Sequence, residues 1–198
     1  MRNWKVSTIV ALILSVAPGS SNLWAQVNLI TNESVAFRNG TAIYFVDQGD
    51  QAGRKGDFAE AIKNFSLAIA QNPQMTEAYI KRGLVYAKNK DFTAALSDFD
   101  TAIQLDSTGE SGALNYYNRA LTYENLGNPE KAIEDYTHAI ELMPTYIPAY
   151  KNRAVNYFRT KNYDLAWDDV QKVKASSSNI RISPDFLDML RKESGRVE

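Results

Sequence analysis

The chain contains no cysteine, and its single histidine is His138. Without cysteine the protein cannot form disulfides, thiolate nucleophiles, iron–sulfur clusters or cysteine zinc sites, and no lipid can be attached to an N-terminal cysteine. His138 stands between polar Thr137 and the small residue Ala139, and we interpret it as a solvated surface residue rather than a ligand or a base. Packing alone must therefore hold the fold together, and no metal site is predicted.

A strong excess of charge of either sign is also missing. The 198 residues include 22 basic and 23 acidic side chains, and no run of Lys or Arg forms a stripe that could bind phosphates. No glycine-rich loop between a strand and a helix indicates a nucleotide site. Acidic pairs on helical segments are interpreted as solvated surface and not as a catalytic dyad. These pairs are Asp98/Asp100, Glu134/Asp135 and Asp168/Asp169. The sequence thus predicts no enzyme, no cofactor and no nucleic-acid partner.

The chain lacks an apolar run long enough to cross a bilayer, which takes about 20 residues. Its N-terminal apolar stretch, residues 6–17, has 12 residues and follows two basic side chains. This pattern is typical of a secretory signal peptide, and we expect residues 1–25 to be removed by cleavage after Ala25. The mature protein would be exported, either periplasmic or secreted, and not inserted in the membrane. The alternative is an uncleaved anchor, because Leu23 is larger than the residue preferred three places before a cut.

Four segments of the chain read alike when they are aligned on their alanines. Ala61, Ala95, Ala132 and Ala166 are separated by 34, 37 and 34 residues, and the three additional residues are an insertion at 110–112. Each segment contains two stretches with apolar residues three and four apart, which predicts two antiparallel helices joined by a short turn. The four repeats are 42–75, 76–109, 113–146 and 147–180.

Each predicted helix pair carries a stripe of alternating small and large residues. In the first helix, an aromatic residue is followed one turn later by glycine or alanine, and in the second helix a large residue stands between small ones. The first-helix pairs are Phe45/Gly49, Tyr79/Gly83, Tyr116/Ala120 and Tyr150/Ala154, and the large second-helix residues are Phe65, Phe99, Tyr136 and Val170. One helix pair cannot bury such a stripe alone, so its stability must come from stacking on its neighbours.

The 34-residue period and the small-large-small stripe resemble the tetratricopeptide repeat family. The resemblance implies an all-α fold, an α-solenoid of four helix-turn-helix repeats in which the first helix of each repeat lines a concave groove. It also implies that Asn118 and Asn152 pair with peptide groups of an extended ligand, the alternative being that each braces its own repeat. The candidate partner-binding residues are Lys81, Leu84, Tyr117, Asn118, Leu121, Asn125, Lys151, Asn152 and Arg159.

Two further segments lie outside the repeats. Residues 26–41 show no clear period, and we leave them as a leader of unknown conformation. Residues 181–198 contain Ser183-Pro184, which is typical of a helix start. The helix that follows resembles the C-terminal capping helix that covers the end of such arrays. Its apolar residues are Phe186, Leu187 and Leu190.

The function expected from these observations is not catalytic. We expect a protein-protein interaction module or assembly scaffold of the cell envelope, monomeric alone, that binds an extended segment of a protein or peptide partner in its groove. The alternative is a self-associating structural protein of the envelope. One subclass of the family clamps the C-terminal carboxylate of chaperones. That activity is disfavoured, because only Asn118 matches the residues that the clamp requires.

Overall fold

The computed structural model describes residues 21–196, and within that range the chain forms nine α-helices and no strand. The helices are α1 Ser21–Arg54, α2 Phe58–Gln71, α3 Thr76–Lys88, α4 Phe92–Leu105, α5 Gly109–Asn125, α6 Pro129–Leu142, α7 Ile147–Arg159, α8 Tyr163–Ala175 and α9 Pro184–Ser194. Helices α1 to α8 form four helix-turn-helix pairs, and each pair packs on the next. The all-α solenoid predicted from the sequence is confirmed.

The helix α1 is longer than the first helices of the other repeats. It has 34 residues and continues without a break from the leader, residues 26–41, into repeat one. The leader shows no helical period because residues 31–40 are exposed, apart from half-buried Ser34, and need no apolar stripe. The helix also includes Ala25, whereas residues 1–20 of the expected signal peptide lie outside the described residues.

The turn inside each repeat uses the same backbone geometry four times. One residue per turn has a positive φ, a conformation that glycine adopts most readily because it has no Cβ. These residues are Gly56, Lys90, Gly127 and Lys161, with φ of 79°, 63°, 72° and 62°. After the turn in repeats one to three, a side-chain oxygen accepts a hydrogen bond from the backbone N–H three residues on and so caps the second helix. Asp57, Asp91 and Asn128 supply this cap.

The core follows the small-large-small stripe. The four alanines that set the register are fully buried, and so are the large second-helix residues beside them. Small residues are required on the first helices because the rings approach closely. A Cβ on Gly49 would lie 2.6 Å from the ring of Phe65, and a Cβ on Gly83 would lie 3.0 Å from that of Phe99. In repeats one and two, the second-helix ring therefore fills the space that a first-helix side chain would need.

The insertion at 110–112 extends a helix and does not form a loop. As a result α5 has 17 residues, whereas α3 and α7 have 13 each. The additional turn lies close to the end of α4, where a Cβ on Gly112 would be 2.4 Å from the backbone carbon of Ser107. Buried Asn115 ties the two helices together by donating to the backbone oxygen of Asp106 at 3.0 Å. Glycine is needed at 112 for this approach.

Three arginines on the first helices join each repeat to the one before it. Arg82, Arg119 and Arg153 each donate two hydrogen bonds of 2.7 or 2.8 Å to an aspartate sixteen residues on, in the second helix of the same repeat. A third N–H of each guanidinium bonds to a side chain of the preceding repeat. The aspartates are Asp98, Asp135 and Asp169, and the side chains of the preceding repeats are Ser66, Asp100 and Thr137.

Each of these guanidinium groups also lies between two tyrosine rings of its own helix, 5.5 to 5.9 Å from the ring centroids. Asp98, Asp135 and Asp169 are only 3 or 4% exposed, so their interpretation as solvated surface residues is wrong. Burial raises the pKa of Asp135 above its ordinary value, and the hydrogen bonds from Arg119 oppose that rise. The partner that each buried carboxylate needs comes from the other helix of its repeat.

Repeat one lacks this ion pair. Gln48 and Asn64 occupy the positions of the arginine and the aspartate. The Asn64 amide instead donates to the backbone oxygen of Glu60 at 2.8 Å and to its carboxylate at 3.0 Å. Because both charged partners are replaced together, no uncompensated charge is buried there.

The helix α9 packs on repeat four through one apolar side. The Ser183 side chain caps α9 by accepting a hydrogen bond from the Phe186 N–H. Phe186 and Leu190 are buried in one cluster with Trp167 and Val170 of α8. Repeat four therefore packs against α9 where each of the other repeats packs against a following repeat.

We expect Arg119→Gln to lower the free energy of unfolding by about 3–5 kcal/mol, because Asp135 would be left as a buried charge without its partner. The double variant Arg119→Gln/Asp135→Asn copies the neutral pair of repeat one and should recover most of that loss. Urea unfolding of the wild type and both variants provides the three free energies. A double variant no more stable than the single one would contradict this account, in which the cost comes from an uncompensated charge.

Candidate partner-binding face

The first helices of neighbouring repeats lie side by side. Lys81 on α3 donates to the Asp50 carboxylate on α1 at 2.8 Å, and Asn152 on α7 donates to the Tyr117 hydroxyl on α5 at 3.1 Å. We call the surface formed by α1, α3, α5 and α7 the first-helix face. All nine candidate partner-binding residues belong to α3, α5 and α7, three of the four helices that form this face.

Tyr117 lies at the centre of the part of the face formed by repeats three and four. Its ring is 5.6 Å from the ring of Tyr136 and 5.0 Å from that of Tyr146, measured between centroids. Burial raises the pKa of Tyr117, and nearby Tyr146 adds to the rise, so the phenol is neutral at physiological pH. The hydroxyl accepts from Asn152 and keeps its own proton to donate. Half-buried Leu121 packs against the same cluster.

Glu124 connects the two repeats beside Tyr117. Its carboxylate accepts hydrogen bonds from the Tyr136 hydroxyl at 3.0 Å, from the Asn156 amide at 3.2 Å and from Arg159 at 3.1 Å. Burial and the neighbouring Glu124 carboxylate raise the pKa of Tyr136, which therefore stays a donor. Arg159, a candidate partner-binding residue, is thus engaged in an ion pair between α5 and α7.

The three candidate asparagines differ in what their amides do. Asn152 bonds to Tyr117 of the preceding repeat, and Asn125 donates to the backbone oxygen of Leu121 in its own helix at 2.7 Å. The Asn118 amide makes no hydrogen bond to any residue in the range 21–196, although its side chain is half-buried. Neither amide therefore braces its own repeat: that of Asn152 bonds to repeat three, and that of Asn118 bonds to no residue in the described range.

A pocket of about 310 Å³ lies in the part of the face formed by repeats one and two. Lys81 and Leu84, both candidate partner-binding residues, line it together with residues of α1 and α2. Burial alone would lower the pKa of Lys81, but the hydrogen bond to Asp50 and the negative charges of Asp50 and Glu77 raise it. Lys81 is therefore charged, and its partner on α1 is the one acidic residue that lines the pocket.

Two features of the face were not predicted from the sequence. Glu124 and Gly53 occupy equivalent positions in their repeats, where the other two repeats have Ala87 and Phe158. Because these four residues differ so much, the position shows no repeat signature. That variability is itself the signal that could have identified it, since a position that packs in every repeat would keep its size.

No group of three or more metal-ligating side chains occurs in residues 21–196. None of the helices in that range is both long and apolar enough to span a membrane.

Comparison with known proteins identifies the repeats. Family models described as tetratricopeptide repeats match residues 46–110 and 113–146. Human tetratricopeptide repeat protein 6 is 31% identical over 118 residues, which are 60% of this chain and 22% of that protein. A DnaJ homolog subfamily C member 7 homolog of Dictyostelium discoideum is 27% identical over 179 residues, covering 84% of this chain and 32% of the relative. This chain spans less than a third of the length of either relative.

Solved structures show the same fold. The crystal structure of MamA protein superimposes with a TM-score of 0.67 at 24% identity, covering 78% of this chain and 83% of that one. A tetratricopeptide repeat protein from Parabacteroides merdae gives a TM-score of 0.70 at 21% identity over 79% of this chain and 61% of its own. The first repeat domain of Spaghetti (RPAP3), solved with an HSP90 peptide, gives a TM-score of 0.58 at 22% identity and covers 62% of this chain and 98% of its own. Since the two family matches together span half of the chain, and the helix pairs stack as the period predicts, this protein belongs to the tetratricopeptide repeat family.

Proposed function

We propose that this protein is a non-catalytic protein-protein interaction module or assembly scaffold that binds an extended segment of a protein partner along its first-helix face. The observation that carries the proposal is the Asn118 amide. It is the candidate amide left without a hydrogen bond in the described range, and it belongs to the same helix as Tyr117 and Leu121. An amide offers a donor and an acceptor, which is what a peptide group requires. The RPAP3 domain, of similar fold, has been solved with a bound peptide.

The surroundings of Asn118 support an extended ligand. Tyr117 offers a ring edge and a hydroxyl proton, Leu121 offers apolar surface, and Lys151 is a half-buried cation on the next first helix. Alternate side chains of an extended chain point to opposite sides. The ligand side chains on one side could therefore pack on Tyr117 and Leu121, while the ligand backbone bonds to Asn118.

We expect Asn118→Ala to weaken partner binding roughly tenfold without loss of stability, because a peptide group left unpaired at the interface costs about 1–3 kcal/mol. The double variant Asn118→Ala/Asn152→Ala should weaken binding further, because it also removes the hydrogen bond that holds the Tyr117 hydroxyl in position. The partner is captured with a photo-crosslinking residue at Leu114 and then titrated against each variant. The matched control is Asn179→Ala, an exposed asparagine that follows α8. If Asn118→Ala and Asn179→Ala bind the captured partner equally well, the first-helix face is not the binding surface.

We infer that this binding takes place outside the cytoplasm, in the cell envelope or in the medium. The basic start, the short apolar stretch and Ala25 support export. We expect the intact mass of the protein from its native source to correspond to a chain that begins at Gln26. A mass that includes residues 1–25 would exclude cleavage and favour the uncleaved anchor.

Self-association is a second candidate function, and the open end of the array at α1 favours it. Tyr44 is 58% exposed, although Ala78, Asn115 and Ala149 at the equivalent positions are fully buried under a preceding repeat. Phe37 on the same helix is 76% exposed. Because α9 covers the other end, copies joined through α1 would pair about a two-fold axis and stop at dimers.

Light scattering of residues 26–198 distinguishes the two functions. A binding module should be monomeric, whereas a self-associating protein should be a dimer that Phe37→Ser/Tyr44→Ser returns to monomers. Ala59→Ser, on the exposed side of α2, is the control substitution. A monomer at all concentrations would exclude the second function.

A further inference from the structure

The pocket between α1 and α3 has an apolar floor and a positive rim. The floor includes Phe65, which is 1% exposed, and Val85, which is 8% exposed, with half-buried Phe58 beside them. The rim carries Arg54 and Lys88, the last residues of α1 and α3. A site of this composition can bury an apolar group and pair with a negative charge at the same time.

Gly53 lines the pocket and has no side chain to fill it. The equivalent position carries Ala87, Glu124 and Phe158 in the later repeats, and those side chains extend from the first helix where Gly53 leaves space. A Cβ on Gly53 would meet its nearest neighbour, the Ala61 Cβ, at 4.0 Å, which is ordinary contact. Glycine is therefore not required here by packing. Gly53 is the last residue but one of α1, so the residue at this position is free to vary without breaking the helix.

The charge around the pocket is unbalanced. Three of its lining residues are cations, Arg54, Lys81 and Lys88, and one is acidic, Asp50. Asp50 is bonded to Lys81 at 2.8 Å. Arg54 and Lys88 have no ion-pair partner in the range 21–196. Two positive charges therefore remain at the rim for a ligand.

We propose that this pocket is a specificity subsite for a partner segment in which an acidic residue stands two positions from a large apolar one. The apolar side chain enters the space beside Gly53, and the carboxylate pairs with Lys88 and Arg54. This inference rests on the proposed binding of an extended segment along the first-helix face.

The two-residue separation follows from the geometry of an extended chain. Residues i and i+2 point to the same side and lie about 6.6 Å apart, at 3.3 Å per residue. One can thus reach the floor while the other meets the rim. The volume of about 310 Å³ is at the lower end of ligand pockets, which span about 300–1,000 Å³, and suits one side chain better than a whole small molecule.

Synthetic peptides of twelve residues test the chemistry of the subsite. The first has Glu two positions before Leu in a Gly/Ser/Thr background, the second has Lys in place of the Glu, and the third has Ser in place of the Leu. Each is titrated into ¹⁵N-labelled protein, and the shifts of the Gly53, Leu84 and Lys88 amides are followed. We expect the Glu/Leu peptide to bind at least fivefold tighter than the other two. Equal affinity of the three peptides, or no shifts at these amides, would overturn the proposal.

Filling the pocket tests its location. Gly53→Leu should reduce the affinity for the Glu/Leu peptide at least tenfold. Gly40→Leu is the matched control, because Gly40 lies on the same helix with nothing within 4 Å of its Cβ position and outside the pocket. Both variants remove a helical glycine and should not lower the thermal midpoint, so weaker binding by one of them cannot be a folding defect. Unchanged binding by Gly53→Leu would contradict the subsite.

Reversing the rim charge tests the role of the cations. Lys88→Glu should exchange the preference, so that the Lys/Leu peptide binds better than the Glu/Leu peptide, and added salt should weaken the preference in both proteins. The control is Lys172→Glu, at an exposed residue of α8. If Lys88→Glu still prefers the Glu/Leu peptide, the cations of the rim do not recognise the charge of the ligand.

The same variants separate this proposal from the proposed function when the captured partner is titrated. If Asn118→Ala weakens partner binding and Gly53→Leu does not, binding along the first-helix face stands and the subsite is excluded. If neither variant has an effect, both proposals fail.

Discussion

The repeated ion pair between an arginine and a buried aspartate is the interaction on which the stacking of this protein depends. A guanidinium has five N–H donors in a fixed fork, and here two of its donors meet a carboxylate while a third reaches the previous repeat. The same group therefore joins the two helices of one repeat and two successive repeats. Two tyrosine rings shield it from water, which strengthens its hydrogen bonds and also makes the loss of one partner costly.

This ion pair also shows which parts of the fold a single sequence can predict. Apolar spacing reports on burial within one helix, so the alanine register and the rings beside it could be predicted from residues three and four apart. The pairing of Arg119 with Asp135 spans sixteen residues and a turn. In a sequence, two charged residues so far apart cannot be distinguished from ordinary exposed surface residues. The three repeated copies of the sixteen-residue spacing were the available signal.

Prediction from the sequence was limited for different reasons at the leader and at the candidate face. The leader has no period because its helix has little to pack against, so the sequence carried no sign of its conformation. For the face, the family resemblance identified the helices whose side chains lie there. It could not assign their hydrogen bonds, because the Asn152 amide turns to Tyr117 while that of Asn118 stays unpaired in the described range. That difference depends on the neighbouring first helix and not on the local sequence, which is Tyr-x-Asn-Arg-Ala around both asparagines.

The long helix α1 has a mechanical consequence. The amide of Asn72, after α2, donates to Asn39 at 3.1 Å, and Gln26, the expected first residue of the mature chain, lies in α1 13 residues before that contact. At 1.5 Å per residue this segment is about 20 Å long. A flexible chain of 13 residues would have a root-mean-square span of about 20 Å, so the mean separation hardly differs, but a coil samples every shorter distance as well. The helix restricts the range of these distances and acts as a rigid spacer, which fixes how far any group attached near Gln26 stands from repeat one.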